Sequence, residues 1–92
     1  MVRREISDSE FVGRYVNEAG ELVAMPRKHS TRRIVLAHIA QSIEPDVELD
    51  ESSVNARLRG FSPDFATLRR YLVDEGLLVR RPPGVYRRPS DR

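Results

Sequence analysis

The sequence predicts a mostly helical α+β fold, and three observations carry this prediction. Two short amphipathic segments, near residues 51–59 and 63–75, are separated by only a few residues, as in a helix-turn-helix. Gly76 stops the second helix, and two apolar runs then flank the tight turn Pro82-Pro83-Gly84. A longer apolar helix precedes both segments. This order is that of a winged helix-turn-helix with an N-terminal helix and a short extended segment added.

Composition predicts one soluble domain over residues 1–92. The chain is long enough for one modest core, and 39% hydrophobic with 33% charged residues is typical of a globular protein. No apolar run approaches the roughly 20 residues of a membrane span. The N-terminus lacks the apolar stretch of a signal peptide and there are no cysteines, so we expect a cytoplasmic protein without disulfides or zinc-thiolate sites.

The N-terminal segment begins with the capping-box pattern Ser7-Asp8-Ser9-Glu10, which predicts a first helix at about residues 8–15. Residues 22–25 are predicted to be extended up to Pro26, with a plain loop as the alternative. We expect an ordered core at about residues 7–88 and a disordered C-terminal tail.

The second helix is predicted to be the central one. Ser30 or Thr31 would cap it, and Pro45 lies beyond its end. Ile34 and Ala37 lie on the far side of its apolar face, so we expect burial on more than one side. The face itself is formed at helical spacing by Val35, Leu36, Ile39, Ala40 and Ile43.

Residues 45–49 are predicted to be a linker, with a short strand as the alternative. Asp50 then caps a third helix, and Gly60 is expected to end it in the left-handed conformation. The linker region is acidic but lacks the pattern of a calcium-binding loop. Its acids are therefore interpreted as solvated; they are Asp46, Glu48, Asp50 and Glu51.

The fourth helix is predicted to begin with Ser62 as the cap and Pro63 at the first helical position. Gly76 closes it, with Leu77 packed back on Leu72. Two strands, at about residues 77–81 and 85–88, would form the wing. The buried stripe of the helix is Phe65, Leu68 and Leu72.

The wing carries the first group of candidate functional residues, which we call the wing arginines: Arg80, Arg81, Arg87 and Arg88. On so short a hairpin they are expected to form one patch of the size of a phosphate. Guanidinium groups suit phosphate contacts and narrow minor grooves. The alternative is a set of solvated strand ends that resist edge-to-edge pairing.

The exposed face of the fourth helix carries the second group. Thr67 and Arg70 are the candidate base readers, and Arg70 is one turn from Asp74, with which it can pair. Arg69 falls at the edge of the buried stripe, where an internal ion pair or a packed stem is expected. With its flanking residues the helix has a net charge of about −1, which disfavours insertion into a DNA groove.

The third group lies across the start of the central helix and consists of Arg27, Lys28, Arg32 and Arg33. Cations are unfavourable at a helix N-terminus, so this turn is expected to accept an anion: a phosphate, a nucleic-acid backbone or a partner's carboxylates. A solvated basic turn paired with nearby acids is the alternative.

Charge and motif content both favour a binding protein over an enzyme. Residues 61–92 carry seven basic and four acidic side chains, so the positive charge is concentrated at the C-terminal end. The chain has no catalytic triad pattern, phosphate loop or paired-carboxylate motif. His29 and His38 are too few for a metal site, and we expect no cofactor or metal.

A series of motifs resembles a known family. In order they are Pro26-x-Lys28, Arg33-x-Val35-Leu36-x-x-Ile39, Val54-Asn55-x-x-Leu58, a run from Asp64 through Leu68-Arg69-Arg70, Asp74 and Gly76 to Arg80, and Gly84-x-Tyr86. Over roughly residues 11–88 the chain resembles a small bacterial domain family of unknown function that is winged-helix-like and often attached to ArsR-type transcriptional regulators. The resemblance implies a transcription-linked context and brings no ligand, reaction or catalytic residue.

Two functions therefore remain open. The first is a DNA-binding winged-helix module of a bacterial transcriptional regulator, acting on double-stranded DNA as a homodimer or with a partner protein. The second is a non-catalytic protein-interaction module that has the winged-helix shape without the DNA role. In that case Tyr15, Tyr71 and the Arg70/Asp74 face would meet the partner. No membrane association or small-molecule substrate is expected from either.

Overall fold

The computed structural model describes residues 8–90 and has an α+β fold. Within that range four helices accompany a small three-stranded antiparallel sheet, which confirms the predicted class and is broadly consistent with a winged-helix-like fold. Ser7 and the last two residues of the predicted tail lie outside the described residues. The elements in chain order are α1 (Asp8–Tyr15), α2 (His29–Ala40), β1 (Glu48–Asp50), α3 (Glu51–Arg59), α4 (Phe65–Asp74), β2 (Val79–Arg81) and β3 (Val85–Arg87).

Helix α2 lies at the centre of the core, as predicted. It packs against α1 on one side and α4 on the other. All five residues of its predicted apolar face are buried, and they meet Leu58 of α3, Leu72 of α4 and Leu78. Burial of each valine, leucine or isoleucine side chain in this interface contributes roughly 1.5–3 kcal/mol, so the interface is a major source of the fold's stability.

The start of α2 differs from the prediction of a Ser30 or Thr31 cap. The helix begins at His29, and Lys28 is its extended N-cap residue without a side-chain capping bond. The side chains of His29 and Arg33 instead contact Glu75, just beyond α4. Contacts with a residue distant in the sequence thus fix the first turn of α2, and a local capping pattern cannot predict such contacts.

The connection from α3 to α4 is partly as predicted. Asp50 caps α3, accepting a hydrogen bond from the Ser53 amide at 2.8 Å. Gly60, however, has φ −66°, so the predicted left-handed ending is wrong. The chain continues there as a helical turn, in which the Phe61 amide donates to the Leu58 carbonyl at 2.9 Å.

Helix α4 begins two residues later than predicted. Asp64 is its N-cap and accepts from the Thr67 amide at 3.4 Å, whereas the Ser62 hydroxyl oxygen accepts from the Asp64 amide. The far end follows the prediction: Gly76 has φ +74°, and the Leu77 amide donates to a carbonyl of the last turn at 2.9 Å. Only a residue that tolerates positive φ closes a helix in this way.

The sheet has the order β1-β3-β2, with both pairings antiparallel. Part of the predicted linker therefore forms a strand, because β3 supplies it with hydrogen-bond partners. The two wing strands are shorter than predicted. Of the extended segment at 22–25, Leu22 forms an isolated bridge with Val16, and residues 23–26 are a loop.

Candidate nucleic-acid interface

The sheet register divides the wing arginines between two faces. Arg80 lies directly opposite Tyr86, whereas Arg81 lies opposite Val85. Arg87 is likewise next to Tyr86 along β3. Since successive side chains of a strand point to opposite faces, Arg80 shares the face of Tyr86, and Arg81 and Arg87 lie on the other face. The expected single patch of four guanidinium groups is therefore contradicted.

The outer face of the sheet is neutralised by the protein's own acids. Arg81 pairs with Glu48 at 3.0 Å and Arg87 with Asp46 at 3.2 Å, and these side chains are 42% to 65% exposed. Such pairs contribute only about 0–1 kcal/mol each to stability. Asp46 and Glu48 are therefore exposed, as expected of solvated acids, and each also places a carboxylate beside a guanidinium.

The fourth wing arginine has a structural position. The half-buried Arg88 side chain donates a hydrogen bond to the Ile43 carbonyl at 2.7 Å, and its own carbonyl accepts from the Asp46 amide. Arg88 thus anchors the end of the hairpin to the segment after α2. Within residues 8–90, Arg80 is the wing arginine whose guanidinium makes no hydrogen bond or ion pair.

The predicted base readers on α4 are exposed. Thr67 and Arg70 both face solvent. Arg70 and Asp74 do not pair with each other, and neither side chain has an ion-pair partner in the described part of the chain. Fixing two long exposed side chains costs about as much as their attraction supplies in water. Arg70 therefore remains available for a ligand.

A groove of about 340 Å³ lies between α4 and the sheet, and we call it the α4–sheet groove. Its lining includes Arg70 and Asp74 from α4 and Arg80 from β2. Arg69 and Tyr86 line it as well, with the Arg69 guanidinium 5.8 Å from the centre of the Tyr86 ring. The groove thus combines the unpaired Arg80 with the unpaired base-reader candidate Arg70.

The floor of the groove is an internally satisfied polar network. Arg69, which is 19% exposed, donates to Asn55 and lies 3.9 Å from the Glu51 carboxylate. The Tyr86 hydroxyl donates to the same carboxylate at 3.1 Å. The internal pairing expected for Arg69 is confirmed. This network links α3, α4 and β3, and it holds the groove in shape.

The first turn of α2 meets α4 through Tyr71. The Arg32 guanidinium lies 5.3 Å from the centre of the Tyr71 ring and also donates to the Arg27 carbonyl at 3.2 Å. Tyr71 in turn lines a second groove, of about 310 Å³, together with Thr67 and Arg70. Arg32 therefore borders the exposed face of α4.

A carboxylate of the protein itself occupies part of the predicted anion position. Glu75, 13% exposed, accepts from His29 at 2.7 Å and from Arg33 at 3.0 Å. The hydrogen bond from His29, and then that from Arg33, lowers the pKa of the Glu75 carboxyl. Arg33 therefore follows the alternative of a basic turn that is paired with nearby acids. Arg27 and Lys28, in contrast, are exposed and form no ion pair with described residues.

The described residues contain neither a metal-binding cluster nor a membrane-spanning helix. Among residues 8–90, no group of three or more metal-ligating side chains is close enough to hold a metal ion. His38 makes an edge-on contact with Phe61, at 6.3 Å between ring centres. No described helix is long and apolar enough to cross a bilayer.

Sequence reasoning did not assign a role to four residues that shape this interface. Asp46 and Glu48 neutralise the outer face of the sheet, and Asn55 and Tyr86 complete the floor of the α4–sheet groove. The period-two alternation of the wing was a usable signal, because it separates Arg80 from Arg81. The pairing with β1 had no local signal.

Comparison with known families gives a match over most of the chain. The model of the bacterial family described as "Uncharacterized protein conserved in bacteria (DUF2087)" matches residues 21–88. The chain belongs to this family. The resemblance was predicted over roughly residues 11–88, and the family model begins ten residues later. All residues of the α4–sheet groove lie within the matched range, whereas α1 lies before it. No curated protein and no solved structure matches the chain.

Proposed function

We propose that this domain is a non-catalytic DNA-binding module of the winged helix-turn-helix type, working in a bacterial transcriptional regulator. One observation carries the proposal. Helix α4, the second helix of a closely spaced pair followed by a hairpin, exposes Thr67 and Arg70, and the Arg70 guanidinium has no hydrogen-bond or ion-pair partner among residues 8–90. Arg80 lies across the α4–sheet groove from Arg70. In helix-turn-helix proteins this second helix is the one that enters the major groove.

The proposed DNA-contact surface is centred on α4 and the α4–sheet groove, and not on the tip of the wing. Its main cations are Arg70 and Arg80, with Arg27 and Lys28 as exposed additions from the turn before α2. Arg32 borders the same face through its contact with Tyr71. Among residues 8–90, each of these cations is either unpaired or engaged only with a ring and a carbonyl, so phosphate contact breaks no ion pair within that range.

The remaining candidates have secondary roles in this proposal. Arg81 and Arg87 are held by ion pairs with Glu48 and Asp46, so we expect them to contribute little to the affinity. Arg33 and Arg88 serve the fold, through Glu75 and the Ile43 carbonyl. Phosphate contacts, with Arg70 among them and Thr67 as the base-reader candidate, then supply most of the affinity.

So small a contact set binds weakly as a monomer. We therefore propose that the domain acts on double-stranded DNA as a homodimer or beside a second DNA-binding domain, in the cytoplasm where bacterial DNA lies. The winged-helix assignment and the attachment to ArsR-type regulators, both implied by the family resemblance, belong to the same proposal.

The proposal is tested by titrating the protein with duplex DNA of mixed sequence at low salt and following backbone amide signals. We expect shifts in three regions, residues 27–33, 66–70 and 79–81, that weaken as salt is added. Absence of any shift at low salt would refute DNA binding.

A protein-interaction module is the second candidate, and one observation favours it. Within the described chain, the protein's own carboxylates offset the charges of two wing arginines, Arg81 and Arg87, and a carbonyl holds Arg88 in place. The hairpin therefore offers less free positive charge than expected. The Arg70/Asp74 face, with unpaired charges of both signs, would then meet a partner of mixed charge. Failure to bind duplex DNA at low salt would favour this function.

A further inference from the structure

The walls of the α4–sheet groove carry two cations from different elements. Arg70 projects from α4 and Arg80 from β2, and neither guanidinium has a partner among residues 8–90. At about 340 Å³ the groove is near the lower end of the roughly 300–1,000 Å³ of small-ligand sites. It therefore suits a single anionic group with its neighbouring atoms.

We propose that the α4–sheet groove is a phosphodiester clamp, in which Arg70 and Arg80 bind the same backbone phosphate from opposite walls. This inference rests on the proposed function, because it specifies how that interface holds DNA. A guanidinium offers a planar fork of N–H donors, and two forks saturate the non-bridging oxygens of one phosphate.

The charge balance of the groove selects the ligand class. Glu51 and Arg69 offset each other in the floor network, which leaves Arg70, Arg80 and Asp74 as the uncompensated charges. Their sum is one positive charge, which matches the single negative charge of a phosphodiester. A terminal phosphate, with about −1.5 to −2 charge at neutral pH, would leave an excess of negative charge beside Asp74.

The floor makes the clamp rigid before the ligand arrives. Arg69 is held by Asn55 and stacked on Tyr86, whose hydroxyl is bonded to Glu51. Because these contacts join α3, α4 and β3, the separation between the helix wall and the sheet wall is set by the fold. A preformed site spends less of its binding free energy on ordering side chains.

The test measures duplex affinity and its salt dependence for the full chain and its variants. We expect Arg70→Gln and Arg80→Gln each to weaken binding about tenfold, and the double variant to be little weaker than either, because one shared phosphate is lost only once. The double variant should also lower the magnitude of the salt slope by about 0.9. The matched controls Arg81→Gln and Arg87→Gln should change affinity less than about threefold. Asp74→Asn should strengthen binding.

Each other outcome has a distinct meaning. Additive losses with a slope change of about 1.8 would show two separate phosphates, which overturns the clamp and leaves the proposed function standing. Losses no larger than those of the Arg81 and Arg87 controls would also overturn it. If the wild-type protein does not bind duplex DNA, the proposed function fails and the clamp with it. If a glutamate-rich peptide binds instead, and both the Arg70→Gln and the Arg80→Gln variants lose that binding, the groove is assigned to a protein partner and the clamp is overturned.

Discussion

The two glycines that follow α3 and α4 offer a matched pair for testing the backbone geometry. Gly76 has φ +74°, and a Cβ added there would meet no atom within 4 Å. Gly60 has φ −66°, and its Cβ would meet the Arg57 carbonyl oxygen at 4.0 Å, an ordinary contact. Substitution by alanine is therefore free of steric clash at both sites, and only the backbone conformation differs.

The expected free energies follow from that difference. Either Gly→Ala change restricts the unfolded chain, which stabilises the protein by about 0.4–1 kcal/mol. Gly60→Ala shows this gain alone. Gly76→Ala adds the cost of a left-handed residue, about 1–2 kcal/mol, so the net effect is a loss of roughly 1 kcal/mol. Because the unfolded-state contribution is common to both, the difference between the variants isolates the left-handed strain.

Urea unfolding followed by far-ultraviolet circular dichroism measures both variants against the wild type. We expect Gly60→Ala to have the higher midpoint and Gly76→Ala the lower one, with unchanged slopes. In a domain of this size 1 kcal/mol corresponds to roughly 4–8 °C in Tm, so thermal unfolding is a second readout. If the two variants were equally stable, the assignment of a left-handed helix end to Gly76 and of a helical turn to Gly60 would be refuted.

Three further predictions concern side chains. Tyr86→Phe removes the hydrogen bond from the hydroxyl to Glu51 and should lower the free energy of unfolding by about 1 kcal/mol. Thermal or urea unfolding measures this loss, and no loss would mean that the bond does not support the groove floor. The pKa of Glu75 is lowered in the folded state from its ordinary 4.5, so its ion pairs stabilise the protein above about pH 4.5 and this stability is lost as the pH falls further. The stability difference between the wild type and Glu75→Gln should therefore shrink from about pH 6 to about pH 3, and a constant difference would contradict the pairing. The double change Glu48→Gln with Asp46→Asn frees the outer-face arginines Arg81 and Arg87. Since each exposed pair has a Coulomb energy of about 1 kcal/mol in water, duplex affinity should rise up to about fivefold per pair. An unchanged affinity would mean that this face does not approach DNA.

Features that depend on local sequence were predictable in this fold. The bounds of α1 and the buried face of α2 follow from helical periodicity, which acts over a few residues. The Asp50 cap and the positive φ of Gly76 follow from residue chemistry within one turn. The first turn of α2 was not predictable in this way, because Glu75, far along the chain, contacts it.

The candidate site was harder to predict because it depends on strand pairing. The exposure of Thr67 and Arg70 follows from the angular spacing of α4. The separation of Arg80 from Arg81 follows from strand alternation, but the neutralisation of Arg81 requires β1 to pair with β3, which brings Glu48 alongside. Such non-local pairing has no counterpart in a short window of sequence.

The dependence of duplex affinity on salt tests the central claim most directly. The unpaired or ring-stacked cations on the α4 face predict two to four neutralised phosphates, and hence a slope of log affinity against log salt of about −2 to −4. The same measurement on the Arg70→Gln, Arg80→Gln double variant should give a shallower slope. A wild-type slope near zero, or no detectable binding at low salt, would contradict a DNA-binding role for this face.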